Sequence, residues 1–467
     1  MLDQLTIQEK MRRAAQQRDY FEQSKSYAYE YMDGIHDRNV FPTAAALANL
    51  KAFDELLPEK PGDPAEMLRM LHEYGSPATV AHTGGRYFGF VVGSVFPPVL
   101  AAKWLADVWD QMSAMYASSP LLSKLEGVCE KWLVELLGLP AGCVAGFVSG
   151  TTLATLCGLA AGRYEILKHS GWDVNSQGLF GAPPFRVVLG AEAHSSVFKM
   201  LTLLGLGKDR VETVPVDEQG RMIADKVPEL DRNTLLILQA GNVNSGAFDP
   251  LDELCERANA AGAWVHIDGA FGLWAAASPN QRQLTRGFEK ADSWSVDGHK
   301  TLNTPYDSGI VFCKHPDSLA SAMHATGSYL LFSENRDGMV YTPEMSRRSR
   351  TIELWATLKT IGKSGTAELV DGLCERARQF AQQMSAQGFH ILNDVVFNQV
   401  LVTGDTPEET TATLRSLQQS GECWCGGARW HDTPVIRVSV CSWATTADDI
   451  DRTVAAFVKA REANKVK

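Results

Sequence analysis

The feature that most constrains this chain is an alternation running from about residue 120 to 315. Short apolar runs, each ending in small or polar residues, are separated by stretches with helical spacing. After a helical stretch from Leu121 to Leu137, the runs are Val144 to Val148, Arg186 to Leu189, Val211 to Val216, Leu235 to Gln239, Ala263 to Ile267 and Gly309 to Cys313. Repeated strand–helix units with continuous apolar strands predict a mostly parallel sheet covered on both faces. The clearest helix follows Asp249-Pro250, which reads as an N-cap with proline at the first helical position. Leu251, Leu254, Cys255 and Ala258 then share one apolar face. Sheets of this kind bind ligands in the crevice beyond their strand ends. The residues that end each run are therefore where chemistry is expected.

The flanks differ in character. Residues 1–75 read as a peripheral helical arm: Thr43 to Leu56 has apolar spacings of three and four, broken by Pro58, Pro61 and Pro64. Such an arm either caps its own body or hooks onto a partner subunit. Residues 76–343 read as a large three-layer α/β/α domain. Residues 344–467 read as a smaller α+β domain, with helices at Ile352 to Leu358, Glu368 to Ala386 and near Thr410 to Gln419. Its strands are placed at Val395 to Val402 and Val435 to Val440. The last helix starts near Thr446, with Asp449 three residues on in a capping arrangement. At 467 residues the chain is long enough for two or three domains.

Composition excludes several classes of function. A formal net charge of -11 opposes nonspecific nucleic-acid binding, and 45% apolar with 21% charged residues is a soluble globular composition. No run approaches the length of a membrane span, and the charged N-terminal stretch lacks the apolar core of a signal peptide. A cytoplasmic protein without nucleic-acid or membrane partners is expected. Nine cysteines are scattered through the chain, and Cys423 and Cys425 stand too close in sequence for a thioredoxin-like or zinc-knuckle motif. No metal is expected.

Four strand ends carry candidate chemistry. The first run leads into Ser149-Gly150-Thr151-Thr152, a hydroxyl-rich turn at the start of a helix, where free backbone N–H groups favour an anion such as phosphate. This turn is neither a GxxxxGK[ST] loop nor a GxGxxG turn, which argues against nucleotide triphosphates and dinucleotides. His194 follows the second run. Asp268 ends the run Ala263 to Ile267, and Lys300 stands in the polar stretch Ala291 to Gly309. A lysine amine forms Schiff bases with aldehydes, and an aspartate beside a pyridine nitrogen keeps that ring protonated as an electron sink. A phosphate turn, a planar neighbour, an aspartate and a lysine, in that order, describe a cradle for pyridoxal 5'-phosphate.

From about Tyr87 to Phe457 the chain resembles the group II pyridoxal-phosphate-dependent amino-acid decarboxylases, such as those acting on glutamate and aromatic amino acids. The resemblance is strongest in AHSSVFK (193–199), GAFDPLDEL (246–254), HIDGAFG (266–272), ADSWSVDGHK (291–300) and IRVSVCSWATTADDID (436–451). It implies the fold type I architecture of the aspartate-aminotransferase superfamily, with a homodimer whose N-terminal helices embrace the partner. It also implies a lyase that decarboxylates an L-amino acid through an internal aldimine at Lys300. Asp268 then pairs with the pyridine nitrogen, and His194 stacks on the ring. Gly150, Thr151, Thr152 and His299 lie at or near the phosphate, and Asn242 approaches the ring substituents. Arg437 matches the position that binds the substrate α-carboxylate in relatives with acidic substrates.

The chain departs from the family pattern in four places. Its turn reads SGTT where SGGT is usual, Gly269 replaces an alanine, and Thr301 replaces an aromatic residue. The segment Tyr329 to Glu344, where the family carries a mobile loop with a catalytic tyrosine, is short. Tyr341 is its expected acid. Without such a tyrosine, cleavage of a carbon–carbon bond in an amino acid or amino alcohol, by aldehyde-lyase chemistry, is the alternative. A non-catalytic dimeric scaffold is the reading from outside the enzymes. The loop Thr83 to Pro98, with four glycines and several aromatics, reads equally as a buried connection or as a wall of the substrate pocket. Arg86, Arg336 and Arg347 are candidates to read a second carboxylate.

Overall fold

The structure is a computed structural model, and it describes residues 5–323, 325 and 334–465. The N-terminal arm contains α1 (Ile7–Gln16), α2 (Asp19–Asp33), α3 (Ala44–Asn49) and α4 (Pro64–Met70). The helical pattern of Thr43 to Leu56 is divided: Thr43 caps α3, and Leu50–Phe53 tightens into a 3-10 turn. Next come α5 (Pro97–Trp109) and α6 (Pro120–Leu137), which lead to β1 (Val144–Val148).

The alternation expected from the sequence follows: α7 (Thr151–His169), α8 (Val174–Gln177), β2 (Arg186–Gly190), α9 (Ser195–Leu203), β3 (Glu212–Val214), β4 (Thr234–Gln239), α10 (Leu251–Ala261), β5 (Trp264–Asp268), β6 (Ser293–Asp297), β7 (Gly309–Cys313) and α11 (Pro316–Met323). The seven strands form one sheet in the order β1-β7-β6-β5-β4-β2-β3. Only β7 runs against its neighbours; β6, β5, β4, β2 and β3 pair in parallel. Strands β4 to β7 are buried along their whole length, as a sheet covered on both faces requires.

The C-terminal part holds α12 (Thr351–Ala386), β8 (His390–Ile391), β9 (Gln399–Thr403), α13 (Pro407–Ser420), β10 (Gly426–Trp430), β11 (Thr433–Ser439) and α14 (Ala447–Lys465). Its four strands make an antiparallel sheet in the order β10-β11-β9-β8. The two helices expected at 352–358 and 368–386 are one long helix with a kink at Gly362, whose φ of 61° lies in the region glycine adopts without strain. On one side of the kink Leu354 and Leu358 join the main core; on the other Ala377, Phe380 and Met384 join the core of the small sheet. Strands β6, β8 and β10 have no counterpart in the sequence reading: SWSVD lies in a stretch read as too polar for a core strand, β8 is only two residues long, and GGARW shows no apolar alternation.

Asp249 does not cap a helix. Its carboxylate is buried and accepts from the backbone N–H groups of Met222 and Gln239, each at 2.7 Å, while Pro250 itself occupies the cap of α10. The side chain thus fastens the end of β4 to a neighbouring turn. The capping pair at the last helix is present: Thr446 and Asp449 exchange hydrogen bonds between side chains and backbone N–H groups. Among the described residues no helix is long and apolar enough to cross a membrane.

Candidate active site

Strand ends β1, β2, β4, β5 and β6 open onto one cavity of about 510 Å³, a size usual for small ligands. Gly150, Thr151, Thr152, His194, Asp268, His299 and Lys300 all line it. The parallel arrangement brings this about, since every parallel strand delivers its last residue to the same edge of the sheet.

Asp268 ends β5 and is 5% exposed, with the Ala270 N–H at 3.3 Å as its side-chain hydrogen bond. Burial pushes its pKa up, and the charges of His194 and Lys300 only partly oppose this. A buried carboxylate with so little support calls for a cation in the cavity. Lys300 follows β6, and its Nζ lies 2.9 Å from Oδ2 of Asp297. Burial pulls the amine down, but the charge and hydrogen bond of Asp297, with Asp268 beyond, leave it above the ordinary lysine range. Asp297 moves the opposite way. Burial alone would raise it; the charges of Lys300 and His299 lead the effects that hold it below the usual carboxylate range, and the Thr151 N–H donates to it at 2.6 Å.

His194 caps α9. Its Nδ1 lies 2.7 Å from Ser196 Oγ and also receives the Ser196 N–H, so Nε2 is left for the cavity. Burial keeps this imidazole below its ordinary pKa. His299 accepts the Ser308 N–H at Nδ1 and stacks on Tyr306 with centroids 4.3 Å apart.

The sequence reading missed Asp297. Its signal was present, an acid three residues before the lysine at the end of a strand, but the reading treated that stretch as a frame for Lys300. It also left open the loop Thr83 to Pro98, which does two things at once. Phe88 exchanges backbone hydrogen bonds with Trp424 and Ser439 of the small domain, and Gly93 donates to the His299 carbonyl. A Cβ at Gly93 would stand 2.2 Å from the Lys300 carbonyl oxygen, so the close approach requires glycine. The departures at Gly269 and Thr301 also have reasons. A Cβ at 269 would crowd Leu273 at 2.7 Å, and the Thr301 hydroxyl is buried and donates to the Phe271 carbonyl.

Other candidates sit elsewhere. Tyr341 does not line the cavity; its ring lies 4.8 Å from the guanidinium of Arg336 and packs against the core beside β1. Residues 329–333 of the expected loop lie outside the described residues. Asn242 turns away from the cavity: its Oδ1 accepts from the N–H groups of Asn244 and Ser245, while Gly241 and Val243 provide the lining. Arg437 is half-buried on β11 with one long contact to Asn244 at 3.4 Å, and its Nε has no partner. Arg86, Arg336 and Arg347 are committed to structural ion pairs, with Asp449, with Glu126 and Glu130, and with Glu126. None of the three is left to read a substrate.

The cavity fits pyridoxal phosphate. Thr151 Oγ1 is buried without a partner at the first turn of α7, where a phosphate oxygen supplies one. Asp268 lacks the cation that a protonated pyridine nitrogen supplies, and Lys300 offers an amine in the same space. Among the described residues no group of three or more His, Cys, Asp or Glu side chains is arranged to hold a metal.

Known proteins share the sequence pattern and the fold. An aromatic-L-amino-acid decarboxylase of Drosophila simulans is 24% identical over 93% of this chain and 89% of its own length. An acidic amino acid decarboxylase of Mus musculus is 26% identical over 73% of this chain and 62% of its own. The fold matches that of Oryza sativa TDC, solved with PLP and tryptamine, at a TM-score of 0.88 and 19% identity, covering 96% of this chain and 98% of that one. The sequence model of the pyridoxal-dependent decarboxylase conserved domain matches residues 52–403, and the chain belongs to that family: an enzyme that uses pyridoxal phosphate to decarboxylate an amino acid.

Proposed function

We propose that this chain removes the α-carboxylate of an L-amino acid with an aromatic or apolar side chain. The observation that carries the reading is the pairing of Asp268, buried and short of a cation, with Lys300 in one cavity. When bound, pyridoxal phosphate supplies the electron sink for the charge left on Cα as CO2 departs. Lys300 would hold the cofactor aldehyde through its amine. Asp268 keeps the ring nitrogen protonated, and burial favours that pairing because the carboxylate has no water to turn to. Gly150, Thr151 and Thr152 hold the phosphate, with His299 beside them. His194 would lie against the bound cofactor, and its Nε2, left free by the Ser196 bonds to Nδ1, would hold the proton destined for Cα. Arg437, with an unpartnered Nε, orients the substrate carboxylate.

The side-chain preference rests on an aromatic row that starts at the cavity. Tyr306 stacks on His299, His82 stands 6.3 Å from both Tyr306 and Tyr87, and Tyr87 stacks on Trp424 at 5.2 Å. Phe90 meets the same indole at 5.3 Å. Such a wall suits a planar apolar group, and the committed arginines argue against a dicarboxylic substrate.

A homodimer is part of this proposal. Leu105 and Val108 on α5, and Leu56 and Leu57 in the arm, are large apolar side chains exposed by 54%, 74%, 92% and 92%, and association would remove such apolar surface from water. Nine free, buried cysteines support a reducing compartment such as the cytoplasm.

Turnover of an amino-acid panel, scored for CO2, amine and aldehyde, tests the reading. Amine and CO2 from aromatic substrates support it. Aldehyde released from a β-hydroxy amino acid without CO2 indicates the aldehyde-lyase alternative, and turnover of glutamate in preference to aromatics overturns the side-chain assignment.

A further inference from the structure

A chain of polar side chains is sealed between the sheet and α7, and no duty assigned above uses it. Trp264 Nε1 donates to Ser293 Oγ at 3.1 Å, and Ser293 Oγ lies 2.9 Å from His266 Nδ1. On the other side of the ring, His266 Nε2 lies 3.3 Å from Ser295 Oγ, which lies 3.0 Å from Thr155 Oγ1. His266, Ser293, Ser295 and Thr155 are each 0% exposed. The helix makes room for this chain with two glycines. A Cβ at Gly158 would stand 2.5 Å from the imidazole, and one at Gly162 would stand 2.8 Å from the Trp264 indole.

One arrangement of donors and acceptors satisfies every bond of the chain. An indole N–H only donates, so Ser293 accepts it, and in this arrangement Ser293 donates its own O–H to Nδ1. The imidazole then donates from Nε2 to Ser295, and Ser295 donates to Thr155. This requires a neutral ring, and burial pushes the His266 pKa down to about 3.

The placement of the members is what gives the chain a function. Side chains two apart on a strand share a face, and residues four apart on a helix lie one turn apart. His266 therefore stands directly below Asp268, Ser295 below Asp297, and Thr155 below Thr151. The upper layer, which lines the cavity, is joined by the Thr151 N–H to Asp297; the lower layer is joined by Thr155 to Ser295. Apolar packing is non-directional and leaves a helix free to slide over a sheet by fractions of an ångström. Hydrogen bonds to a fixed imidazole do not.

We propose that Ser295 and Thr155, oriented by His266, are positioning residues that set the height of the first turn of α7 above the strand ends. They thereby place the phosphate turn at the right distance from Asp268 and Lys300. The inference rests on the reading that pyridoxal phosphate binds with its phosphate at this turn.

The test compares apo wild type with Ser295→Ala and with the near-isosteric Thr155→Val, titrated with pyridoxal phosphate and separately with pyridoxal, which lacks the phosphate. The expected result is a loss of pyridoxal phosphate affinity of about tenfold or more in each variant, the scale of one misplaced charge-assisted hydrogen bond. Pyridoxal affinity stays within about twofold, since the change acts through the phosphate turn rather than the ring. Should Ser295→Ala fail to fold, Thr155→Val alone decides. A fall in melting temperature with unchanged pyridoxal phosphate affinity overturns the proposal, and so does an equal loss for both ligands. A wild type that binds neither ligand overturns instead the cofactor reading beneath it.

Discussion

Asp297 and Lys300 form an ion pair, with 2.9 Å between Oδ2 and Nζ, at the edge of the sheet where β6 ends. The same carboxylate receives the N–H of Thr151, so one side chain joins the lysine to the first turn of α7. An amine held this way is protonated at neutral pH and is a poor nucleophile until its proton leaves.

Replacing Asp297 by asparagine removes the charge that holds the amine above its ordinary range, while burial, which acts the other way, remains. The midpoint of the rate of pyridoxal phosphate association against pH is expected to fall by at least about one unit. Stopped-flow absorbance between pH 6 and 10 measures it. An unshifted midpoint would mean that the pair does not control the amine.

On the proposed cofactor reading, Asp268→Asn would leave the ring nitrogen without its counter-ion. Breaking a buried pair on one side costs about 3–5 kcal/mol, so cofactor affinity is expected to drop at least about a hundredfold. The apo protein should respond in the opposite sense. Asp268 has a folded pKa raised above the unfolded value by burial, so its contribution to stability is present at acid pH and is lost as pH rises through the folded pKa. The apo variant should therefore lose less melting temperature than wild type between pH 4 and pH 8.

Asp249 is a different kind of buried acid. Burial raises its pKa to about 6 against the opposing N–H groups of Met222 and Gln239. Its stabilising contribution is complete below the unfolded value and declines as pH rises through about 6, by at most about 3 kcal/mol. Asp249→Ala leaves two buried N–H groups unpaired and is expected to cost about 2–4 kcal/mol in denaturant unfolding at pH 5. A loss below about 1 kcal/mol would show that water replaces the carboxylate.

Tyr341→Phe should leave kcat within about twofold of wild type, because the ring packs under Arg336 rather than into the cavity and the change removes only a hydroxyl. His194→Phe, which keeps a ring over the cofactor but no proton carrier, should lower kcat by about a hundredfold or more. Steady-state kinetics on an aromatic substrate distinguishes the two. A large loss in Tyr341→Phe would restore the tyrosine to the chemistry.

The site residues were legible to different degrees, for physical reasons. Asp268, His194 and the SGTT turn each follow an apolar strand, Lys300 follows the polar strand β6, and strand ends in a parallel sheet meet by necessity. Asn242, Tyr341 and the arginines sit outside that rule. Asn242 closes its own loop through hydrogen bonds to Asn244 and Ser245. Arg336 and Arg347 were plausible ligand readers only while Glu126, some 200 residues away in sequence, was not known to face them. Asp249 looked like a cap because its acceptor role is local in sequence, whereas its true donors come from Met222 and Gln239.

The sequence by itself determined the layered sheet, the order of the strand-end chemistry and the cofactor, because apolar periodicity and residue type act over a few neighbouring positions. Tertiary structure alone decided which distant charges pair, that the first turn of α7 meets Asp297, and that α7 rides on a sealed polar chain through Ser295 and Thr155. Those outcomes depend on contacts between residues about 140 apart or more, such as Thr151 with Asp297 and Thr155 with Ser295, and burial there multiplies electrostatic effects that no local pattern records.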